Sequence, residues 1–185
     1  MRKPEEIIEK VNTLNLNKTS KRIDWHSKWL MHAQISSLRS HDARTKCGCI
    51  FVRNNNIVSE GYNGVLRGIN DKLLPNYEYN KDIVISKEKY FLHAEDNCII
   101  NAARKGSPTE GCIAYITGYP CCPCYQKLWQ AGIAKIYVPK VHNKPVCMQN
   151  TAHKEQFELL KYLTQYQLEV EEVEINLDIF KELLK

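Results

Sequence analysis

Short apolar runs that alternate with helical patterns constrain the fold of this chain most strongly. Apolar and β-branched residues in runs of this length favour strands. The runs cover residues 47–53, 57–61, 112–117, 135–138 and 168–175. From the third run onward, a helical pattern separates each strand from the next. Strand–helix–strand crossovers place parallel strands side by side, so the sequence predicts a parallel half of a sheet.

The helical patterns are bounded by ordinary start and stop signals. Asp24 is suited to cap the first long helix, and Gly106 and Gly132 are suited to end two later ones. Helices are predicted over residues 24–39, 93–105, 121–130 and 154–166, with shorter ones over 4–11 and before Lys185.

The first two strands surround an asparagine cluster. Residues 54–56 are all asparagine, which tolerates the backbone conformations of a tight turn. The two runs therefore predict an antiparallel hairpin. The sequence as a whole predicts an α/β fold of three layers, α-β-α, with a mixed central sheet of about five strands and helices on both faces.

The length of 185 residues suits one domain. We expect residues 1–20 to be an N-terminal extension and 21–185 to be a single domain with its core at about 24–140. Residues 65–90 are polar and irregular and contain Pro75 and three tyrosines. A loop of that length inside a domain is unusual and often functional.

Composition excludes several classes of protein. The 43% hydrophobic and 25% charged content argues against disorder, and no apolar run approaches the ~20 residues that span a bilayer. Residues 1–20 lack the apolar core of a signal peptide, so we expect a cytoplasmic protein. The net charge of +5 suits an anionic ligand but is too small for a protein that coats nucleic acid. The lysine- and asparagine-rich composition fits a virus or an AT-rich host.

Two segments carry the chemistry. Residues 93–95 read His-Ala-Glu, and residues 120–124 read Pro-Cys-Cys-Pro-Cys. Together they match the H-x-E and P-C-x-x-C signature of zinc deaminases. Zinc favours tetrahedral nitrogen and sulfur ligands, and three protein ligands leave one position for water. His93, Cys121 and Cys124 supply three ligands, and Glu95 is placed to reach a metal-bound water.

Other interpretations of the cysteines remain open. The Cys-x-x-Cys pair could be redox-active, or it could be half of a structural zinc site that has a fourth ligand. Adjacent residues at a helix start point in different directions, so we do not expect Cys122 to be a ligand. Candidates for a fourth ligand are Cys98, Cys112, Cys122, His142 and Cys147; we expect Cys47, Cys49, Cys98 and Cys112 to be small core residues.

Several further segments resemble the zinc-dependent deoxycytidylate (dCMP) deaminases of the cytidine/deoxycytidylate deaminase family. The resemblance runs from about Asp24 to Val138. Residues 39–48 resemble the family's first loop and the strand after it, and residues 61–64 match its Gly-Tyr-Asn-Gly loop. Residues 93–97 resemble its His-Ala-Glu-x-Asn helix start.

This resemblance implies hydrolytic deamination of dCMP to dUMP, a precursor for thymidylate synthesis. It implies one Zn²⁺ held by His93, Cys121 and Cys124, with Glu95 as the proton shuttle. It places Asn63 on the sugar or phosphate, the Ala94 backbone at the base edge, and Thr45, Lys46 and Arg39 near the 5′-phosphate. Tyr62 and Gly64 complete the expected substrate-binding set.

The resemblance also implies a homo-oligomer, a hexamer in many members, with dCTP and dTTP as effectors and Mg²⁺ accompanying an effector nucleotide. The chain departs from the family in residues 65–90, at Asp96 and Cys98, and after Val138. These departures surround the expected pocket rather than the metal ligands. Two alternatives remain: a zinc deaminase of another substrate (a free nucleoside, tRNA or single-stranded nucleic acid), and a non-catalytic structural zinc module.

Overall fold

The fold is described from a computed structural model, which covers residues 3, 5, 6, 9, 22–42, 45–70, 91–140 and 151–175. Trp25–Ile175 forms one compact unit, and Met1–Asp24 together with Asn176–Lys185 forms another. The predicted helix over 4–11 is described only at positions 5, 6 and 9, which are helical, and the one before Lys185 lies outside the described residues. The division of residues 1–20 from 21–185 stays a prediction.

From Trp25 to Ile175, the described part of the chain contains four helices and seven strands. The helices are α1 (Trp25–Ser37), α2 (Ala94–Lys105), α3 (Cys122–Gln130) and α4 (Thr151–Leu163). The strands are β1 (Gly48–Arg53), β2 (Asn56–Tyr62), β3 (Gly64–Val65), β4 (Phe91–Leu92), β5 (Ile113–Ile116), β6 (Lys135–Pro139) and β7 (Glu169–Val173). No helix among the described residues has the length and apolar character needed to cross a membrane.

Five strands form the mixed central sheet that the sequence predicts, in the order β2-β1-β5-β6-β7. β1 pairs antiparallel with β2 and with β5, while β5–β6 and β6–β7 are parallel. Asn54 and Asn55 have φ values of 51° and 57°. Positive φ at both central residues is the conformation of a type I′ turn, so the asparagine cluster closes the predicted hairpin.

A second, two-stranded sheet was not predicted. Residues 65–90 were expected to be irregular, and at the borders of this segment Gly64–Val65 pairs antiparallel with Phe91–Leu92. The pairing therefore brings together the two ends of the long segment. Two-residue strands this far apart in sequence carry no periodicity from which they could be predicted. Residues 71–90 lie outside the described part.

The two faces of the sheet are covered by different helices. Along β1, Ile50 and Val52 face α1, and Cys49 and Phe51 face the opposite side. The α1 side also buries Trp29, Leu30, Ala33 and Tyr115, whereas the larger core on the other side includes Ala94, Cys98, Tyr125, Leu128, Ile136, Val138, Phe157 and Leu168. Helices thus lie on both faces, as predicted.

Two glycines allow helices to approach the sheet closely. A Cβ on Gly48 would lie 1.9 Å from the Ala33 carbonyl oxygen of α1. A Cβ on Gly61 would lie 2.4 Å from both the Ala94 oxygen and the Cys98 nitrogen of α2. Only glycine fits these contacts, and Gly61 therefore sets the position of α2 against β2.

Candidate active site

Two helix N-termini meet at the candidate site. His93 is the N-cap residue of α2, and Cys121 is the N-cap residue of α3, both with extended backbone. The side chains therefore project from the points where the helices begin. A proline in the first turn of α3 loses no helical hydrogen bond there. The partial positive charge of the helix start favours thiolates at Cys121 and Cys124.

The ligand atoms of His93, Cys121 and Cys124 converge. His93 Nδ1 lies 3.5 Å from Cys121 Sγ and 3.3 Å from Cys124 Sγ. Zinc–sulfur bonds of about 2.3 Å and zinc–nitrogen bonds of about 2.1 Å at a tetrahedral angle separate nitrogen and sulfur by about 3.6 Å. All three ligand atoms lie within 4.8 Å of one another. The two nitrogen–sulfur distances therefore suit ligands of one zinc ion.

The pKa values of the three ligand side chains are strongly shifted by their mutual contacts. The hydrogen bond with Cys124 lowers the pKa of Cys121 to about 4, and the same bond raises the pKa of Cys124 well above its usual range. The hydrogen bond to Cys121 raises the pKa of His93 to about 9. At neutral pH the three groups thus hold two protons that a metal ion would displace.

Glu95 is a buried carboxyl group beside this set, with 5% of its surface exposed. Its pKa is raised to about 7, chiefly by burial and also by the charge of Cys121. His93 lowers the same pKa, so the carboxyl group lies within electrostatic reach of two of the ligands. A carboxyl group with a pKa near 7 can both accept and donate a proton at neutral pH.

An ion pair joins the two helices that carry the ligands. Lys127 Nζ of α3 lies 2.7 Å from Asp96 Oδ1 of α2. Asp96 is one of the departures from the family pattern noted in the sequence, and its side chain is 14% exposed.

The Gly-Tyr-Asn-Gly loop lies against the start of α2. Asn97 Nδ2 donates to the Tyr62 carbonyl oxygen at 2.7 Å, and Gly61 lies against the Ala94–Cys98 backbone. Tyr62 is half-buried, and Gly64 and Ala94 are buried. These contacts hold three of the expected substrate-binding residues next to the helix that carries His93 and Glu95.

Asn63 is engaged with the segment that precedes β1. Its Oδ1 accepts from the Cys47 N–H at 2.8 Å. Its Nδ2 donates to the Thr45 carbonyl oxygen at 2.8 Å and to Asp42 Oδ2 at 3.3 Å. In this structure the Asn63 side chain organises the neighbouring loop, and its contact with a sugar or phosphate stays a prediction.

The expected phosphate-binding residues lie on the surface. Thr45, Lys46 and Arg39 are all exposed. Lys46 Nζ donates to the Ser40 carbonyl oxygen at 2.9 Å, so the lysine lies over its own loop. An ammonium group has two further donors, which leaves donors for an anion. The structure brings Thr45 and Lys46 to the Asn63 loop; no described contact joins the Arg39 side chain to it.

Two residues of this region lie within the motifs quoted from the sequence, but no role was predicted for either. Asp42 is a buried carboxylate within the loop, and Asn97 anchors the Gly-Tyr-Asn-Gly loop to α2. Asp42 lies inside the quoted segment 39–48, but an isolated aspartate gives no sign of burial. The predicted burial of the other cysteines is confirmed for Cys49, Cys98 and Cys112, whereas Cys47 is half-buried.

The ligand set defines the class of site. Among the described residues, the group contains one histidine and two cysteines, with no fourth His, Cys, Asp or Glu. Three nitrogen and sulfur ligands with a position left for water are typical of catalytic zinc sites. Cys122, Cys98 and Cys112 are outside the group, and His142 and Cys147 lie outside the described residues.

Comparisons with known proteins give the family. The model of the cytidine and deoxycytidylate deaminase zinc-binding region matches residues 23–140, and the chain belongs to this family. A probable deoxycytidylate deaminase of Caenorhabditis elegans is 35% identical over 133 residues, 67% of this chain and 65% of that protein. Deoxycytidylate deaminase of Mus musculus is 32% identical over 127 residues, 68% of this chain and 70% of that protein.

The fold has a similar counterpart among solved structures. The dCMP deaminase from the cyanophage S-TIM5, in apo form, superimposes with a TM-score of 0.59 and 25% identity. The match covers 80% of this chain and 96% of that one. The chain spans about two thirds of the length of the two curated relatives.

Proposed function

We propose that this protein is a zinc-dependent hydrolase that converts dCMP and water to dUMP and ammonia. The observation that carries the proposal is the buried Glu95 beside the convergent His93, Cys121 and Cys124 ligand atoms. The named deoxycytidylate deaminases among its relatives support the choice of substrate.

Zinc held by the three ligands would act as a Lewis acid that lowers the pKa of a water molecule. Glu95 accepts the proton of that water and delivers a proton to N3 of cytosine. The water oxygen bonds to C4. Glu95 then takes the remaining proton of that oxygen and passes it to the amino group, so that the C4–N bond breaks, ammonia leaves and the C4 carbonyl of dUMP forms. One carboxyl group thus acts as base and then as acid, which its pKa near 7 suits.

The sugar and 5′-phosphate of the substrate would lie at two loops, residues 40–47 and 61–64. The Ala94 backbone would hold the base edge, and Tyr62, Asn63 and Gly64 would border the sugar. Thr45 and Lys46 would bind the 5′-phosphate, with Arg39 adding positive charge, because a phosphate is recognised by ammonium or guanidinium groups together with hydroxyl donors.

A substrate panel tests this proposal. Zinc-loaded protein is offered dCMP, deoxycytidine, CMP, dCTP and a short single-stranded DNA, and ammonia release is measured. We expect release from dCMP to be much faster than from the other four. Release from the oligonucleotide alone would show a deaminase of nucleic acid. No ammonia release from any of the five compounds would favour the structural zinc module.

We also propose that the chain self-associates. On α4, three large apolar side chains follow the spacing i, i+3 and i+4 and are 56–67% exposed: Leu159, Tyr162 and Leu163. Tyr166, in the turn that follows the helix, is 57% exposed. A stripe of this kind on a helix is typical of an interaction surface. We assign it to a second copy of the chain, as in the hexamer that the resemblance implies.

Light scattering after size-exclusion chromatography tests the assembly. We expect Leu163→Glu to lower the oligomer mass, whereas Lys154→Glu, an exposed change elsewhere on the same helix, should leave it unchanged. A monomeric wild-type protein would contradict the assignment. Regulation by dCTP and dTTP, with Mg²⁺ bound to the effector, belongs to the same proposal and is tested by adding each nucleotide with and without Mg²⁺.

We further propose that the protein works in the cytoplasm, of a cell or of a virus-infected host. The seven cysteines that the structure describes are free thiols, and thiols persist in a reducing compartment. Fluorescence microscopy of the tagged full-length chain tests this placement.

A further inference from the structure

Asp42 is a buried carboxylate that none of the proposed catalytic steps uses. Only 3% of its surface is exposed. Its Oδ1 accepts from the Thr45 N–H at 3.2 Å, and its Oδ2 accepts from Asn63 Nδ2 at 3.3 Å. Its own N–H donates to Ser40 Oγ at 3.1 Å. A buried charge persists only where such partners compensate its desolvation, so the loop is built around this group.

The Asn63 side chain is held in one orientation by the same set of bonds. Both hydrogens of Nδ2 are donated, one to Asp42 and one to the Thr45 carbonyl oxygen. Oδ1 accepts from the Cys47 N–H, and the Asn63 N–H donates to the Cys47 carbonyl oxygen at 3.1 Å. Flipping the amide would bring Nδ2 against the Cys47 N–H and Oδ1 against the Asp42 carboxylate, so the observed orientation is fixed.

Two further hydrogen bonds link the segments next to Asn63 to the parts of the chain that carry the zinc ligands. The Gly48 N–H donates to Thr117 Oγ1 at 3.0 Å, at the end of the strand that leads to Cys121. On the other side, Asn97 of α2 donates to the Tyr62 carbonyl oxygen, one residue before Asn63. These two hydrogen bonds therefore fix the position of the loop around Asp42 relative to the segments that carry the zinc ligands.

We propose that Asp42 is a positioning residue for the sugar–phosphate end of the substrate. It acts through Asn63 and the Thr45–Lys46 backbone and does not itself contact the nucleotide. This inference rests on the proposed deamination of dCMP. If Asp42 has this role, its loss weakens substrate binding and leaves the proton transfers by Glu95 intact.

Asp42→Asn tests this with a change of nearly no volume. Both oxygens of the carboxylate accept hydrogen bonds, whereas a carboxamide has one acceptor oxygen. Whichever way the new amide turns, it loses either the Thr45 N–H or the Asn63 Nδ2 partner. Loss of one buried partner weakens binding by roughly 10-fold. We expect KM for dCMP to rise by about that factor while kcat stays within about threefold.

Asn101→Ala is the matched control. Asn101 Nδ2 donates to the Glu60 carbonyl oxygen at 2.9 Å, so it also joins α2 to β2 but lies outside the proposed site. Its KM should stay at the wild-type value. Zinc content and thermal melting are measured for every variant. Should Asp42→Asn fail to fold, Ser40→Ala removes only the oxygen that accepts from the Asp42 N–H, and a smaller rise in KM is expected.

Three results would overturn the inference: an unchanged KM, a fall in kcat without a rise in KM, or an equal rise in KM for Asn101→Ala. A wild-type protein that releases no ammonia from dCMP would instead refute the proposed function, and this inference with it.

Discussion

Substitution of Gly61 by alanine should disturb the metal site although Gly61 is not a ligand. The added Cβ would lie 2.4 Å from the Ala94 oxygen and the Cys98 nitrogen, whereas ordinary contacts begin at 3.4 Å. Both neighbours are helix backbone, which cannot rotate away. The start of α2 must therefore move by about 1 Å (3.4 − 2.4 Å) relative to β2.

That shift is large for a metal centre, where ligand distances hold to within about 0.2 Å. His93 precedes α2 and would move with it, while Cys121 and Cys124 stay on α3. We expect zinc affinity to fall by roughly 10- to 100-fold, as when the support of a ligand is lost. Overpacking costs about 1–3 kcal/mol, which corresponds to a melting temperature lower by roughly 2–12 °C.

Zinc competition with a chromophoric chelator measures the affinity, and calorimetry measures the melting temperature. Gly64→Ala is the matched control for stability, because its Cβ would meet only the Tyr62 ring at 3.5 Å. It should melt within about 2 °C of the wild-type protein. A Gly61→Ala protein with wild-type zinc affinity would refute the reasoning.

Three further predictions concern the rest of the fold. Tyr125→Phe removes the hydroxyl that donates to the Leu168 carbonyl oxygen at 2.7 Å, and we expect calorimetry to show a loss of about 1 kcal/mol. Asp96→Asn breaks the pair with Lys127, whose side chain is 51% exposed, and should cost less than about 1 kcal/mol; a larger coupling in a double-mutant cycle would contradict this. Removal of zinc with a chelator should abolish ammonia release while circular dichroism keeps its helical signal, because the core on the α1 side contains no ligand and the larger core extends from the ligands to Phe157 and Leu168; loss of the fold would favour the structural module.

The sheet was predictable because its signals are local. The asparagine turn at 54–56 fixes the hairpin, and crossovers through α3 and α4 leave only parallel neighbours for β6 and β7. Gly106 ends α2 with a φ of 66°, as its position in the sequence predicts. The β3–β4 pairing was missed because its partners are distant in sequence and too short to show a period.

The candidate ligands were predictable because metal chemistry restricts residue type and spacing together. The supporting contacts were not. Asp42 and Asp96 are ordinary polar residues in sequence, and Asn97 is known there only as part of a motif. Their roles depend on partners 21 or more positions away or on burial. Arg39, Lys46 and Thr45 were suggested by resemblance alone, and their exposed positions leave their phosphate contacts as predictions.

The most direct test of the central claim is the behaviour of Glu95→Gln. The change removes the carboxyl group that moves protons and leaves His93, Cys121 and Cys124 untouched. We predict one zinc ion per chain by elemental analysis, together with ammonia release from dCMP reduced by at least about 100-fold. One zinc ion per chain with turnover near the wild-type rate would contradict the assigned role of Glu95 and the mechanism built on it.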